Sequence, residues 1–279
     1  MRDKVTVRHI TKRPPGSTPL TMITAYDYTA AMLADAAGVD MILVGDTLGI
    51  FALGHTDTIP VTMDDMVHHC RSVARAHPKA LLIGDLPFGS YHCSVADAVD
   101  NAVRLMQEGR CEAVKLEGGR ERVPVIEAIV AAGIPVVGHV GLGPQSSHLL
   151  GGNVVQGQTA DQADGVVADA GAVADAGCFA IVVEAVPRRV GAAVSEEVSV
   201  PTIGIGAGAE CDGQVLVFHE VVGLHRGESP RFAKRYADAA ATIVDAIAQY
   251  CDEVRERRFP DKEHSYLMDK DELERFRSR

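Results

Sequence analysis

Eight short apolar runs recur along the chain, separated by amphipathic stretches, and that alternation constrains the fold more than any other feature. The runs are Leu20–Ala25, Asp40–Gly45, Ala80–Asp85, Glu112–Leu116, Pro135–Val140, Phe179–Glu184, Val200–Ile205 and Gln214–Phe218. They are rich in Val, Ile and Leu and lack clean in–out alternation, the pattern of parallel strands covered on both faces. Between them lie helix signals. Thr62 with Asp65 forms an N-cap pair ahead of Met66, Val67, Cys70, Val73 and Ala74 at helical spacing. Ser94 with Asp97 repeats the arrangement ahead of Val99, Ala102, Val103 and Met106, and Gly109 follows as a C-cap. Eight βα repeats in 279 residues predict an α/β fold, a closed (β/α)8 TIM barrel rather than an open doubly wound sheet. The helical signal beside the eighth run is the least regular. A further amphipathic helix is expected over Phe232–Glu256, and the tail from Lys262 to Arg279 is charged, either mobile or lying on a neighbour. No linker interrupts residues 1–279, so one domain is expected.

Composition limits the partners. The net charge of −11 speaks against nucleic acid, whose phosphates need a basic stripe. No apolar run approaches the roughly 20 residues that cross a bilayer, so no membrane partner is expected. Met1–Pro19 has no apolar leader core, and a cytoplasmic location is the expectation. Cys70, Cys93, Cys111, Cys178, Cys211 and Cys251 are dispersed with no C-x-x-C pair, which reads as reduced packing residues. Lys occurs only at positions 4, 12, 79, 115, 234, 262 and 270. An excess of acid with scarce Lys fits either a high-salt host or an ordinary acidic soluble enzyme.

The chemistry sits where the runs end. Asp46 follows Met41-Ile-Leu-Val-Gly, and Asp85 follows Leu81-Leu-Ile-Gly. Lys115 and Glu117 close the next run, His139 closes Val136-Val-Gly-His, and Glu184 closes Ile181-Val-Val-Glu. In a barrel these ends converge on one mouth, the face that carries barrel active sites. Taken singly, Asp46 or Asp85 reads as an N-cap, Lys115 as a surface charge and His139 as a satisfied core histidine. Together, several acids buried with one Lys and one His call for a balancing cation. Carboxylates with water suit Mg²⁺ or Mn²⁺. Zn²⁺ is second because of His139, although no H-E-x-x-H or clustered Cys/His set occurs. Gly204-Ile-Gly-Ala-Gly-Ala209 formally fits a dinucleotide fingerprint, but Glu210-Cys-Asp-Gly213 signals a turn where that motif needs a helix. A close-approach loop at the barrel mouth after the seventh run is the better reading.

At these residues the sequence resembles the ketopantoate hydroxymethyltransferase family. The matching segments include Thr24-Ala-Tyr-Asp-Tyr28, Val44-Gly-Asp-Thr-Leu-Gly49, Gly54-His-Thr-Asp-Thr-Ile-Pro-Val-Thr62 and Asp85-Leu-Pro-Phe88. Val114-Lys-Leu-Glu-Gly-Gly119, Gly138-His-Val-Gly-Leu142, Pro144-Gln145, Val183-Glu-Ala-Val-Pro187, Ile203-Gly-Ile-Gly-Ala-Gly208 and Glu263-His-Ser-Tyr266 continue the series in order. The resemblance implies Asp46 and Asp85 as metal ligands, with Glu117 beside the metal through water. It implies Lys115 and His139 as substrate contacts and Glu184 as the base. Where the family usually carries Ser, Thr47 keeps a hydroxyl for the substrate carboxylate but adds a methyl that stiffens the side chain. The implied metal is Mg²⁺, with Mn²⁺, Zn²⁺ or Co²⁺ as alternatives. The implied reaction joins a hydroxymethyl group, from 5,10-methylenetetrahydrofolate or a pterin analogue, to 3-methyl-2-oxobutanoate through a stabilised enolate. The product would be 2-dehydropantoate, for pantothenate and coenzyme A synthesis. Ring-like homo-oligomers, often decamers, are implied as well. Two rivals use the same barrel: a Mg²⁺-dependent carbon–carbon or phosphorus–carbon lyase, and a non-catalytic ligand-binding barrel.

Overall fold

A computed structural model describes residues 3–14 and 16–279; Met1, Arg2 and Pro15, within the stretch read above for a leader, lie outside them. Eight parallel strands close into a barrel in sequence order: β1 (Leu20–Thr24), β2 (Met41–Val44), β3 (Leu81–Asp85), β4 (Ala113–Lys115), β5 (Val136–Gly141), β6 (Ala180–Glu184), β7 (Thr202–Ile205) and β8 (Gly213–Leu216). β1 pairs with both β2 and β8, which closes the cylinder. The expected barrel is therefore present. The helices in chain order are α1 (Val7–Thr11), α2 (Tyr28–Ala37), α3 (Leu48–Phe51), α4 (Met63–Ala74), α5 (Val95–Gln107), α6 (Val123–Ala131), α7 (Ser147–Leu150), α8 (Ala160–Asp175), α9 (Arg188–Glu197), α10 (Phe218–Val221), α11 (Ala239–Arg255) and α12 (Lys270–Arg277). None of the helices among the described residues is long and apolar enough to cross a membrane.

Strand parity sorts the side chains. Leu20 and Met22, Met41 and Leu43, Leu81 and Ile83, then Ala113, Val137, Ala180, Val182, Ile203 and Val215 form one buried apolar cluster inside the barrel. The intervening residues, such as Ile42, Val44, Leu82, Val114, Ile181 and Val183, pack outward beneath the helices in a second cluster. Both faces are covered, which accounts for the unbroken apolar runs in the sequence. Ile10 of α1 joins the inner cluster and is 1% exposed, so α1 stoppers the N-terminal end of the barrel.

Local signals set several helix starts. Thr62 caps α4, accepting from the Asp65 N–H at 3.2 Å, while the Asp65 carboxylate accepts from the Thr62 N–H at 2.9 Å and hydroxyl at 2.6 Å. Those bonds hold the Asp65 carboxyl below its ordinary value of 3.8. Thr62→Ala should cost about 1 kcal/mol in urea unfolding at neutral pH. A carboxyl whose folded value is depressed stabilises above its unfolded value, and that support is lost as pH falls through the folded one. The difference between wild type and variant should therefore shrink below pH 3.8; a difference that is flat with pH would disconnect Asp65 from the cap. Ser94 caps α5, accepting from the Asp97 N–H at 3.1 Å and donating its hydroxyl to the Asp97 carboxylate at 2.8 Å.

Several expectations need correction. The repeat is irregular at the end: no helix among the described residues joins β7 to β8, and β8 is followed directly by the four-residue α10, with the longer α11 starting only at Ala239. Gly206 and Gly208, at φ 68° and 95°, turn the β7–β8 connection where a crossover helix would otherwise begin. The eighth strand is Gly213–Leu216, and Phe218 opens α10 instead of closing the strand. Gly109 is not the left-handed cap of α5; Glu108 caps the helix and Arg110 takes the left-handed conformation, at φ 62°. Gly109 is needed for closeness, since a Cβ there would lie 2.6 Å from the Leu105 carbonyl oxygen. The helix expected over Phe232–Glu256 begins only at Ala239, because Asp238 caps it and Phe232 packs across Gly206 instead. Within the charged tail, α12 occupies Lys270–Arg277. All six cysteines are free, and Cys70, Cys111, Cys178 and Cys211 are buried, as expected of packing residues.

Candidate active site

The parity that fills the barrel with apolar side chains also aims polar ones into its C-terminal mouth. Two residues beyond Ile83 on the inner face is Asp85; two and four beyond Ala113 are Lys115 and Glu117; two beyond Val137 is His139; two beyond Val182 is Glu184. Asp46 lies just past β2, and its backbone N–H faces Asp85 Oδ2 at 3.4 Å. All six line one small cavity of about 50 Å³ together with Thr47. The sequence-based candidates are thus gathered in a single place.

Asp46, Asp85, Lys115, Glu117 and His139 are all buried, and Glu184 is partly exposed. The Lys115 ammonium donates to both oxygens of Asp85, at 2.9 and 2.8 Å, and lies 3.7 Å from Glu117 Oε1. This excludes the surface-charge reading of Lys115. Burial disfavours its charged form, but Asp85, Glu117 and Asp46 outweigh burial and raise its pKa. Burial first, then repulsion from Asp85 and Glu117, lifts the Asp46 carboxyl well above its usual range. The Asp85 carboxyl is also raised, chiefly by burial, against the pull of Lys115. Burial also opposes the charged Glu117, but Lys115 and His139 prevail and lower it. His139 Nδ1 faces Glu117 Oε1 at 3.5 Å and Nε2 faces Glu184 Oε2 at 3.3 Å. Burial and Lys115 oppose its charge, yet Glu117 and Glu184 prevail and push it up to about 9.

A close approach of β5 to β6 positions Glu184. Gly141, at the end of β5, sits at φ 91°, and a Cβ there would come 2.3 Å from the Glu184 carbonyl oxygen. Only glycine permits β5 and β6 to approach so closely at the mouth.

Three further side chains belong to the site and had been given no role from sequence. Gln145 donates from Nε2 to Asp46 Oδ2 at 2.9 Å and to the Leu86 carbonyl at 3.0 Å. Its Oε1 accepts from the Tyr91 hydroxyl at 2.6 Å, and its backbone N–H donates to Glu117 Oε2 at 3.2 Å. Tyr91 in turn accepts from the Glu117 N–H at 3.2 Å. Tyr26 shares a hydrogen bond of 2.7 Å with the Thr47 hydroxyl. These residues fix the orientation of Asp46, Glu117 and Thr47. Gln145 stood inside a recognised segment, but its contacts span 99 and 54 positions of sequence and leave no periodic trace.

The donor set fits a hard divalent ion better than zinc. Four carboxylates face one ammonium and one imidazole, an acidic excess that a cation would balance in a poorly solvated space. Both ring nitrogens of His139 are buried without a hydrogen bond of good geometry, so the imidazole is not saturated by its carboxylate neighbours. No group of three or more His, Cys, Asp or Glu side chains among the described residues forms a ready-made metal cage. A structural zinc site would require one, whereas Mg²⁺ is commonly held by one or two carboxylates with water and substrate completing its shell.

The family model described as ketopantoate hydroxymethyltransferase matches residues 4–262. The chain is 52% identical over 265 residues to the 3-methyl-2-oxobutanoate hydroxymethyltransferase of Moorella thermoacetica, an alignment covering 95% of this chain and 98% of the relative. It is 48% identical to the enzyme of the same name from Carboxydothermus hydrogenoformans, over 98% of this chain and 99% of the relative. Among solved structures, phosphonopyruvate hydrolase in complex with oxalate and Mg²⁺ superposes with a TM-score of 0.56 at 16% identity, covering 93% of this chain and 92% of that one. At that identity the likeness is one of fold.

Proposed function

The chain belongs to the ketopantoate hydroxymethyltransferase family, and from that premise we propose that it transfers a hydroxymethyl group to 3-methyl-2-oxobutanoate at the barrel mouth, giving 2-dehydropantoate. The observation that carries this reading is the meeting of Asp46, Asp85, Lys115, Glu117, His139 and Glu184 from five successive strand ends around one cavity. The reaction needs an acceptor made acidic at C3, a base beside it and a confined space for a small acid, and these residues offer each.

Asp46 and Asp85 would hold a divalent cation, Mg²⁺ by the chemistry of the donors, with Glu117 beside it through water. When bound, the cation supplies Lewis-acid polarisation of the 2-oxo group. Lys115, already held by Asp85, and the Thr47 hydroxyl are the groups that would neutralise and orient the substrate carboxylate. Glu184 takes the C3 proton, and His139, 3.3 Å from it, keeps the carboxylate aimed. The carbanion so formed attacks the one-carbon unit of 5,10-methylenetetrahydrofolate or a pterin analogue, forming the C–C bond as one C–N bond of the donor breaks; water then displaces the second nitrogen, which supplies the hydroxyl oxygen and releases the free donor. Val182, Val215 and Val217 wall the cavity and limit water around the reacting atoms. The protein is accordingly read as a cytoplasmic enzyme of pantothenate and coenzyme A synthesis. Self-association is supported by α11, none of whose residues is buried and which exposes Ile243, Val244, Ile247, Tyr250 and Val254.

Purified protein supplied with 3-methyl-2-oxobutanoate and methylenetetrahydrofolate should form 2-dehydropantoate, detected by mass spectrometry. Chelation should lower the rate by at least about 100-fold, and added Mg²⁺ should restore it. Product formation that is indifferent to chelation would remove the cation from the scheme, and absence of product under all donors would remove the transfer itself.

A further inference from the structure

At the end of the barrel away from these residues, the turn from α4 into β3 and the turn from α5 into β4 border a cavity of about 710 Å³. That volume suits a nucleotide-sized molecule. Its rim carries Arg71, Arg75, Lys79 and Arg110, with Lys4 contributed by the N-terminal segment. Such a collection stands out in a chain of net charge −11. The acid among the lining residues, Glu112, is already engaged by the Lys4 ammonium and by the Leu82 N–H at 3.0 Å. Arg71 donates from Nε to the Glu108 carbonyl at 3.3 Å and lies 3.9 Å from its carboxylate, which Arg104 holds at 2.8 Å. Among the described residues, the side chains of Arg75, Lys79 and Arg110 make no ion pair or hydrogen bond.

Cations near helix C-termini can simply answer the helix dipole. That need is common to the helices ending on this floor, yet α2, α6, α8 and α9 have no basic residue in their last turn. The concentration beside α4 and α5 therefore has another cause. The two turns are also held in an uncommon conformation, with His77 at φ 47° and Arg110 at φ 62°. Both end a helix, as the 3.0 Å bond from the Cys111 N–H to the Leu105 carbonyl across Arg110 shows, and they set the direction in which the neighbouring cations leave the backbone. Beneath the charged rim the surface is apolar, formed by Ala74, Pro78 and Leu82.

We infer that this cavity binds a small molecule carrying two or more phosphate groups, its phosphates on Arg75, Lys79 and Arg110 and its apolar part on the floor. Spaced guanidinium and ammonium groups without carboxylate partners match phosphate oxygens in charge and geometry.

The probe is inorganic tripolyphosphate, added to the full-length protein in metal-free buffer at fixed ionic strength and followed by calorimetry and thermal unfolding. Saturable binding at one site per chain is expected. The triple variant Arg75→Gln, Lys79→Gln, Arg110→Asn should bind at least tenfold more weakly; Asn tolerates the left-handed backbone at position 110. A control variant, Lys234→Gln, Lys262→Gln, Lys270→Gln, removes the same charge elsewhere and should bind as the wild type does. Lack of saturable binding in the wild type, undiminished binding in the triple variant, or an equal loss in the control would each overturn the assignment.

Discussion

Glu184→Gln is expected to abolish exchange of the C3 proton of 3-methyl-2-oxobutanoate with solvent deuterium and to slow overall transfer by about 10²–10⁴-fold, with binding of the divalent cation unchanged. The expectation follows from position. Glu184 ends β6 on the inner face, two residues beyond Val182, across the mouth from the Asp46 and Asp85 carboxyls that pair with other partners. It is the acid of the group that lacks a tight partner, since His139 is 3.3 Å away and the Lys115 contacts go to Asp85 and Glu117. The amide keeps the size and the approach to His139 but cannot accept a proton at neutral pH. Exchange measured by NMR without any one-carbon donor isolates this step. Exchange at the wild-type rate would take the base role from Glu184.

Lys115→Met should have the largest effect on stability, about 3–5 kcal/mol in urea unfolding with chelator present. The ammonium is enclosed by Asp85 at 2.8 Å and Glu117 at 3.7 Å, and Asp46 adds to the negative field. Methionine fills much of the same volume, so lost charge balance rather than a void dominates. A divalent cation should return more stability to this variant than to the wild type, because it compensates the same carboxylates that Lys115 serves. A variant as stable as the wild type in chelator, or one indifferent to Mg²⁺, would contradict that account.

Much of this site was legible because strand parity extends beyond the strand. Ile83 faces inward, so Asp85 does; Val137 faces inward, so His139 does. A run of apolar residues ending in a polar one on the inner face is a local pattern, and a single sequence displays it. Gln145 and Tyr91 were given no role because they come from loops, where no period links residue to direction, and because they bond each other across 54 positions. The extent of α11 was overread for a related reason. Phe232 and Tyr236 continue the apolar spacing, but Phe232 lies against Gly206, a contact set by tertiary packing that spacing does not encode. Gly109 was read as a conformational break, whereas its lack of a side chain serves the approach of α5 to Cys70.

Ile10 and the apolar cluster it joins fill the barrel from below, which leaves the C-terminal mouth as the approach to the polar residues. Two reactants that share a doorway to a chamber of about 50 Å³ cannot overtake one another inside. On the proposed function, the smaller oxo acid would sit against the polar cluster, beneath the larger donor.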